Sequence, residues 1–408
     1  MKEIELGAIC EFINGGAWSD KEYVSSGIPV LKVSNFKPNG FLIDDINYLP
    51  LSDTQKYAKN KLLLNDVIIA TVGSHPNLQD SAAGRSCVVN SLVEGFYLNQ
   101  NAVCIRTTDS EILDQRYLVY LAKSREFQHY IQSRGRGAAN QMRIAISSIK
   151  EYKFYLPKIE IQRRIADILS TYDDLIENNR KQIKLLEEAA QRLYKEWFVD
   201  LRFPGHEHTK IVDGVPEGWE KSTVVDVSSV LRRGISPKYN DQANLTVINQ
   251  KCIRQTVVTF DEARKQEKTF PEEMNLQDSD TVICSTGAGT LGRVGQIFGN
   301  YPQTTFDSHV TLVRAKSGFG KQYLFHCLKY CQSYLMGMGK GSTNQLELSR
   351  GTIQDLDILI PPEEIGKMFE SLAQSIHDKI GAVNAEIDRL QSARDRLLPK
   401  LMSGEVEV

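Results

Sequence analysis

The 408-residue sequence has no apolar run approaching the roughly 18–20 residues that a membrane span requires. Its opening, MKEIELGAIC, has no apolar block of the signal-peptide kind, so the protein is expected in the cytoplasm, away from membranes. Cysteine is sparse: seven residues, an odd number, with no pair at the two-residue gap of a zinc knuckle. Cys327 and Cys331, next to His326, come closest to a ligand set, but they sit four apart in the helix-like YLFHCLKYCQ and read as apolar helix positions. Reduced thiols and no bound metal are expected. Charge of one sign is also missing. The net charge of −2 excludes a uniformly basic chain, which leaves only local runs. Those runs are Lys123, Arg125, Arg134, Arg136 and Arg143, and the Lys/Arg-rich stretch 229–268. Catalytic signatures are lacking as well: there is no HExxH, no GxSxG, no kinase set, and no acidic-Pro-Pro-aromatic run of an amino-methyltransferase. GMGKGST (337–343) fails as a phosphate loop because Lys340 is followed by Gly341. Gly287, Gly289 and Gly292 spell GxGxxG, but the following RVGQIFGNYP reads as strand and turn, where a dinucleotide site needs a helix. No catalytic residue is expected.

What is present is a long internal repeat. FYLPKIEIQ (154–162) answers ILIPPEEIG (358–366), with Pro157 and Pro361 separated by 361 − 157 = 204 residues. At the same shift GAANQ (137–141) answers GSTNQ (341–345). Further upstream VIIATVG (67–73) matches TVICSTG (281–287), and AVCIR (102–106) matches VTLVR (310–314). Four matches in the same order at a nearly constant shift imply two copies of a whole domain with its connector, hence a pseudo-twofold chain.

Each copy ends in a long apolar stripe at three/four-residue spacing. The first runs from Ile161 through Ile165, Ile168, Tyr172 and Leu186 to Trp197, and the second from Phe369 through Ile376, Val383 and Leu390 to Leu401. Stripes of this length predict coiled-coil packing. Asn179 falls within the first stripe, where a polar residue can fix register. The front of each copy mixes strand-like runs (28–36, 62–72, 246–253) with helix-like stretches (116–133, 321–335). The expected fold class is α+β: two mixed α/β domains held apart by two long antiparallel coiled-coil helices, with a pseudo-twofold internal repeat. The expected boundaries are 1–157 for the first domain, 158–200 for the first helix, 201–220 for a linker, 221–360 for the second domain and 361–402 for the second helix.

ELGAICEFINGG (5–16), the proline-then-helix stretch with DDLIENN (173–179), VPEGWE (215–220) and GSTNQ…ILIPPEE (341–364) together resemble the specificity subunits of type I restriction–modification systems. The resemblance spans essentially the whole chain. It implies that each variable domain is a target-recognition domain reading half of a bipartite double-stranded DNA target. It also implies that the long helices dock two methyltransferase subunits and that motor–nuclease subunits complete the complex. S-adenosylmethionine, ATP and Mg would belong to those partners and no cofactor to this chain. A protein-only coiled-coil adaptor, and an enzyme with a nucleotide site at the GxGxxG loop, are the alternatives.

DNA contacts are expected in the basic, Gly-flanked segments: Arg134, Arg136, Asn140, Gln141 and Arg143 in the first half, and Arg293, Asn344, Gln345 and Arg350 in the second. Arg can pair bidentately with guanine, and Asn or Gln with adenine. Asn140–Gln141 and Asn344–Gln345 recur in both halves, which favours a backbone role, because domains reading different targets should differ where they read bases. Lys32, Asn35, Lys251 and Arg254 on strand-like runs complete the candidates.

Overall fold

A computed structural model of the chain describes residues 2–37, 40–43, 46–74, 83–137, 141–287, 289–341 and 346–408. These residues form two compact units, 1–177 with 388–408, and 178–387.

In the first unit an antiparallel sheet runs in the order Cys10–Asn14, Ala102–Thr107, Val67–Ala70, Ser86–Val88. Beside it, Ile28–Leu31 pairs parallel with Tyr97–Leu98 and antiparallel with Asn47–Leu49. Lys2–Glu5 pairs with Lys153–Leu156. The second unit repeats this. Its four strands are Ser228–Arg233, Val310–Ala315, Thr281–Cys284 and Val294–Gln296. Leu245–Ile248 lies parallel to Thr304–Phe306 and antiparallel to Arg264–Gln266, and Glu220–Thr223 pairs with Asp357–Ile360. The matched strings VIIA and TVIC are the equivalent central strands. Both are buried on both faces, which explains their unbroken apolar character.

The duplication extends to a buried ion pair. In the first unit Arg106 Nε and Nη2 donate to the two Asp66 carboxylate oxygens at 2.6 Å, and Asp66 also accepts from the Leu63 N–H at 2.7 Å. In the second, Arg314 clamps Asp280 at 2.7 Å through both nitrogens, and Asp280 accepts from the Gln277 N–H at 2.8 Å. Each aspartate is about 2% exposed.

The helix-like stretches are each divided in two. Gln115–Lys123 ends at Ser124, whose Oγ accepts from the Phe127 N–H and starts Arg125–Ser133. Lys321–Tyr330 and Gln332–Gly337 are the counterparts.

The long helices span Ile159–Tyr194 and Glu363–Ser403. The first closes in a π turn, Lys195–Val199, that buries the adjacent Trp197 and Phe198 together. In the first unit Ile165, Ala166 and Leu169 share a core with Leu401, and Asp173 meets Arg394 at 2.5 Å, so the helices run antiparallel. In the second unit Tyr194 and Trp197 pack on Phe369, while Glu187 and Gln191 face Ile376 and Ile380, the same sense. The 201–220 stretch is folded. Asp213–Gly214 turns a short hairpin (Ile211–Val212 with Val215–Pro216), and the buried Trp219 packs on Phe198 and on the buried Phe203.

Asn179 is buried in the first helix and its Nδ2 has no hydrogen-bond partner among the described residues. An unpaired buried amide carries a desolvation cost of about 1–3 kcal/mol. Asn179→Leu is therefore expected to leave stability unchanged or raise it by about 1 kcal/mol in urea unfolding. A loss larger than that would mean that the amide has partners.

Candidate functional site

Two of the strand-like runs that carry candidates stop early. Ile28–Leu31 gives way to a 3-10 turn, Val33–Asn35, and Leu245–Ile248 to Gln250–Cys252. The reason is local. Asn35 Oδ1 accepts from the Lys32 N–H at 2.8 Å, and Asn249 Oδ1 from the Lys251 N–H at 2.8 Å, so side chains replace the sheet ladder. Lys32, Asn35, Lys251 and Arg254 therefore lie on turns and not on strands. Asn35 is buried, and its Nδ2 donates to the Leu42 carbonyl at 2.9 Å, so its amide is committed to holding the loop. Lys32 Nζ contacts Asn47 Oδ1 and lies 5.6 Å from the Tyr23 ring centroid. Arg254 is exposed, with Nε on the Lys251 carbonyl at 3.1 Å and Nη2 3.7 Å from Glu262.

The first-half basic candidates do come together. The chain leaves helix Arg125–Ser133 at Arg134, whose guanidinium lies 4.5 Å from the Tyr130 ring centroid. It then turns back through Gly137 (φ +125), where a Cβ would sit 2.4 Å from the Gln141 carbonyl oxygen. Only glycine fits that approach. The return strand Met142–Arg143 pairs with Val72–Gly73. Arg136 and Arg143 exchange both backbone hydrogen bonds, at 2.9 and 2.8 Å, so they stand directly opposite each other, both exposed. Gln141 is exposed beside them. Asn140 lies outside the described residues.

The second unit builds the same device. Lys340 and Glu347 form the equivalent antiparallel bridge, the turn carries Gly341 (φ +134), and Glu347 also bridges Thr286. Asn344 and Gln345 lie outside the described residues. Arg350 is exposed at the start of the short helix Arg350–Gln354, which Ser349 caps through the Thr352 N–H at 3.0 Å. Arg293 is half-buried; it follows Gly292, whose Cβ position would sit 2.6 Å from the Met336 nitrogen. After Gly287, Gly289 and Gly292 the chain enters strand Val294–Gln296, so the helix that a dinucleotide fold opens at this point is replaced by a strand.

Sequence reasoning passed over Arg233, Lys340 and Glu347 as site residues. Arg233 pairs with Glu347 and donates to the carbonyls of Leu348 (2.9 Å) and Ser285 (3.3 Å). The 204-residue shift applied to Arg136 and Arg143 would have located the Lys340–Glu347 bridge. Part of the basic stretch 229–268 is neutralised by pairing, Arg232 with Glu273 at 2.5 Å and Lys238 with Glu267, while Arg264 keeps its charge and stacks 3.5 Å from the Tyr239 centroid.

His326, beside Cys327, is buried, and desolvation together with the nearby His377 and Lys329 charges lowers its imidazole to about 3. Its Nδ1 lies 2.9 Å from Gln191 Nε2 and accepts from it. Among the described residues no group of three His, Cys, Asp or Glu side chains could hold a metal ion. No helix among them is long and apolar enough to cross a membrane.

Comparison with known proteins gives a consistent picture. Residues 1–188 and again 216–389 match the family model described as the type I restriction modification DNA specificity domain. The MjaIX type I restriction enzyme specificity subunit of Methanocaldococcus jannaschii is 29% identical over 308 residues, covering 72% of this chain and 69% of the relative. The MjaVIII specificity subunit of the same organism is 24% identical over 406 residues, covering 95% and 91%. The HindI specificity subunit of Haemophilus influenzae is 23% identical over 396 residues, covering 79% and 84%. The crystal structure of a type I restriction–modification S subunit from M. genitalium superimposes with a TM-score of 0.56 at 16% identity, over 98% of this chain and 95% of that one, and so shares the fold.

Proposed function

Because this chain belongs to the type I restriction–modification DNA specificity family, we propose that its two repeated domains each read one half of a bipartite duplex target while the long helices dock partner subunits. One observation carries the reading. The two units share strand order and a buried Arg–Asp clamp, yet carry different side chains at the same exposed bridge, Arg136 and Arg143 against Lys340 and Glu347. A common scaffold with divergent exposed residues is what two readers of different sequences require.

The role is recognition, without chemistry of its own. Lys and Arg contacts to phosphates supply salt-dependent affinity and fix register on the duplex, while base-edge contacts supply sequence. Arg134, Arg136, Asn140, Gln141 and Arg143 in the first domain and Arg293, Asn344, Gln345 and Arg350 in the second are the proposed contacts, with Lys32, Lys251 and Arg254 at the margins. Asn35 serves by shaping the loop. Two methyltransferase subunits would carry S-adenosylmethionine and flip the target base from the stack. Motor–nuclease subunits would carry ATP and Mg.

The test is a domain exchange read by methylation mapping. Replacing residues 1–157 with the equivalent region of a relative is expected to change one half of the methylated sequence and leave the other intact. Alteration of both halves would rule out independent reading. Pure chain supplied with S-adenosylmethionine, ATP and Mg is expected to show no turnover.

A further inference from the structure

Arg136 and Arg143 form an arrangement that a sheet ladder disfavours. Two residues that exchange both backbone hydrogen bonds in an antiparallel bridge project their side chains from the same face, about 4.5–5.5 Å apart at Cβ. Like charges in that position repel. No carboxylate pairs with either guanidinium among the described residues, and both are exposed. A third cation, Arg134, stands at the end of the preceding helix, with its guanidinium over Tyr130.

The repeat supplies an internal control. At the same bridge the second unit places Lys340 opposite Glu347, and Glu347 also takes the Arg233 guanidinium. Arg233 lies on strand Ser228–Arg233, paired with Thr311. The equivalent position of the first unit, paired with Val103, is Asn14, which is uncharged. The two units thus solve one position differently. The second neutralises its bridge with its own carboxylate. The first leaves two cations facing each other with no carboxylate paired to them among the described residues.

We propose that Arg136 and Arg143 form a clamp for the phosphodiester backbone of DNA, and that the matching Lys340–Glu347–Arg233 group, whose one carboxylate is set against two cations and taken by Arg233, contributes less backbone grip. The first domain then anchors the duplex electrostatically, while the second relies more on base-edge contacts. A phosphate between the two guanidiniums would convert their repulsion into two charge-assisted hydrogen bonds, bidentate where geometry permits. The proposal rests on the DNA-reading function above and adds the unequal division of phosphate contacts between the domains.

The experiment titrates a mixed-sequence duplex against the full chain, alone and assembled with its methyltransferase subunits, across a salt series by fluorescence anisotropy. Each phosphate contact contributes roughly 0.9 to the slope of log K against log salt. The double variant R136Q/R143Q, which removes the one bridged phosphate, is expected to flatten the slope by about 1 and weaken binding at low salt by tenfold or more. Its melting temperature should hold or rise, because a repulsive pair has been removed, and this separates lost contact from lost fold. The double variant K340Q/E347Q should move the slope by less than about 0.5. E347Q alone, which releases Arg233, should steepen it. An unchanged slope in R136Q/R143Q, or an equal flattening in K340Q/E347Q, overturns the clamp while leaving DNA reading intact. If the wild-type assembly binds no duplex at any salt concentration, the functional reading itself fails.

Discussion

Phe369→Ala is expected to destabilise the 178–387 unit by about 3–5 kcal/mol, the usual cost of truncating a fully buried aromatic. Phe369 is completely buried, and its ring lies between Phe198 (centroids 4.9 Å apart), Trp197 (6.0 Å), Tyr323 (6.0 Å) and Tyr194 (6.1 Å). It therefore joins three elements of that unit: the end of the first long helix, the second long helix and the helix Lys321–Tyr330. Removing the ring leaves a cavity that these large, rigid neighbours cannot close, whereas Phe369→Leu keeps most of the volume and should cost no more than about 1.5 kcal/mol. Trp197 and Trp219 sit in the same cluster, and Trp18 lies in the other unit. In Trp18→Phe protein, tryptophan fluorescence during denaturant unfolding reports the second unit alone. A Phe369→Ala transition within about 1 kcal/mol of the parent would show that this aromatic cluster does not hold the unit together.

Asp280→Ala should be comparably severe, for an electrostatic reason. Asp280 is almost fully buried and receives two Arg314 nitrogens, while Arg314 also donates to the carbonyls of Glu273 and Asn275 at 2.9 and 2.8 Å. Deleting the carboxylate leaves a largely desolvated guanidinium unpaired, at a cost of about 3–5 kcal/mol. Replacing both partners with apolar residues removes that uncompensated charge, so Asp280→Ala with Arg314→Met is expected to be more stable than Asp280→Ala alone. Asp66→Ala should reproduce the effect in the first unit through Arg106. Because the two clamps share no partner, their costs should add. Denaturant unfolding of the single and double variants reads this directly. A double variant less stable than Asp280→Ala would mean that Arg314 contributes through its backbone bonds more than through the carboxylate.

The arginine clamps were visible in the sequence only as part of the AVCIR/VTLVR match. Their conservation between halves has a physical cause. The arginine at the end of each sheet's second strand, Ala102–Thr107 or Val310–Ala315, binds the carbonyls of a distant loop and an aspartate that caps its own turn, so loop and sheet are held by one side chain. The long helices were legible because a stripe of apolar residues at helical spacing survives any detail of packing. The breaks within shorter elements were not. Ser124, Asn35 and Asn249 redirect the chain through single side-chain hydrogen bonds, and such residues do the same work in many contexts.

By itself the sequence determined the duplication, the mixture of strands and helices in each copy, the two long helices and the lack of catalytic signatures. These follow from periodicity and residue type, which are properties of the chain alone. Tertiary structure decided which cations are available to a ligand. Lys123 is taken by Asp173 (3.0 Å), Arg232 by Glu273 and Arg233 by Glu347, partners 41 to 114 residues away, while Arg136 and Arg143 face each other with no acid paired to either among the described residues. A basic residue's charge is written in the sequence, but its neutralisation depends on which carboxylate the fold brings within a few ångströms, and that distance exists only once the chain has folded.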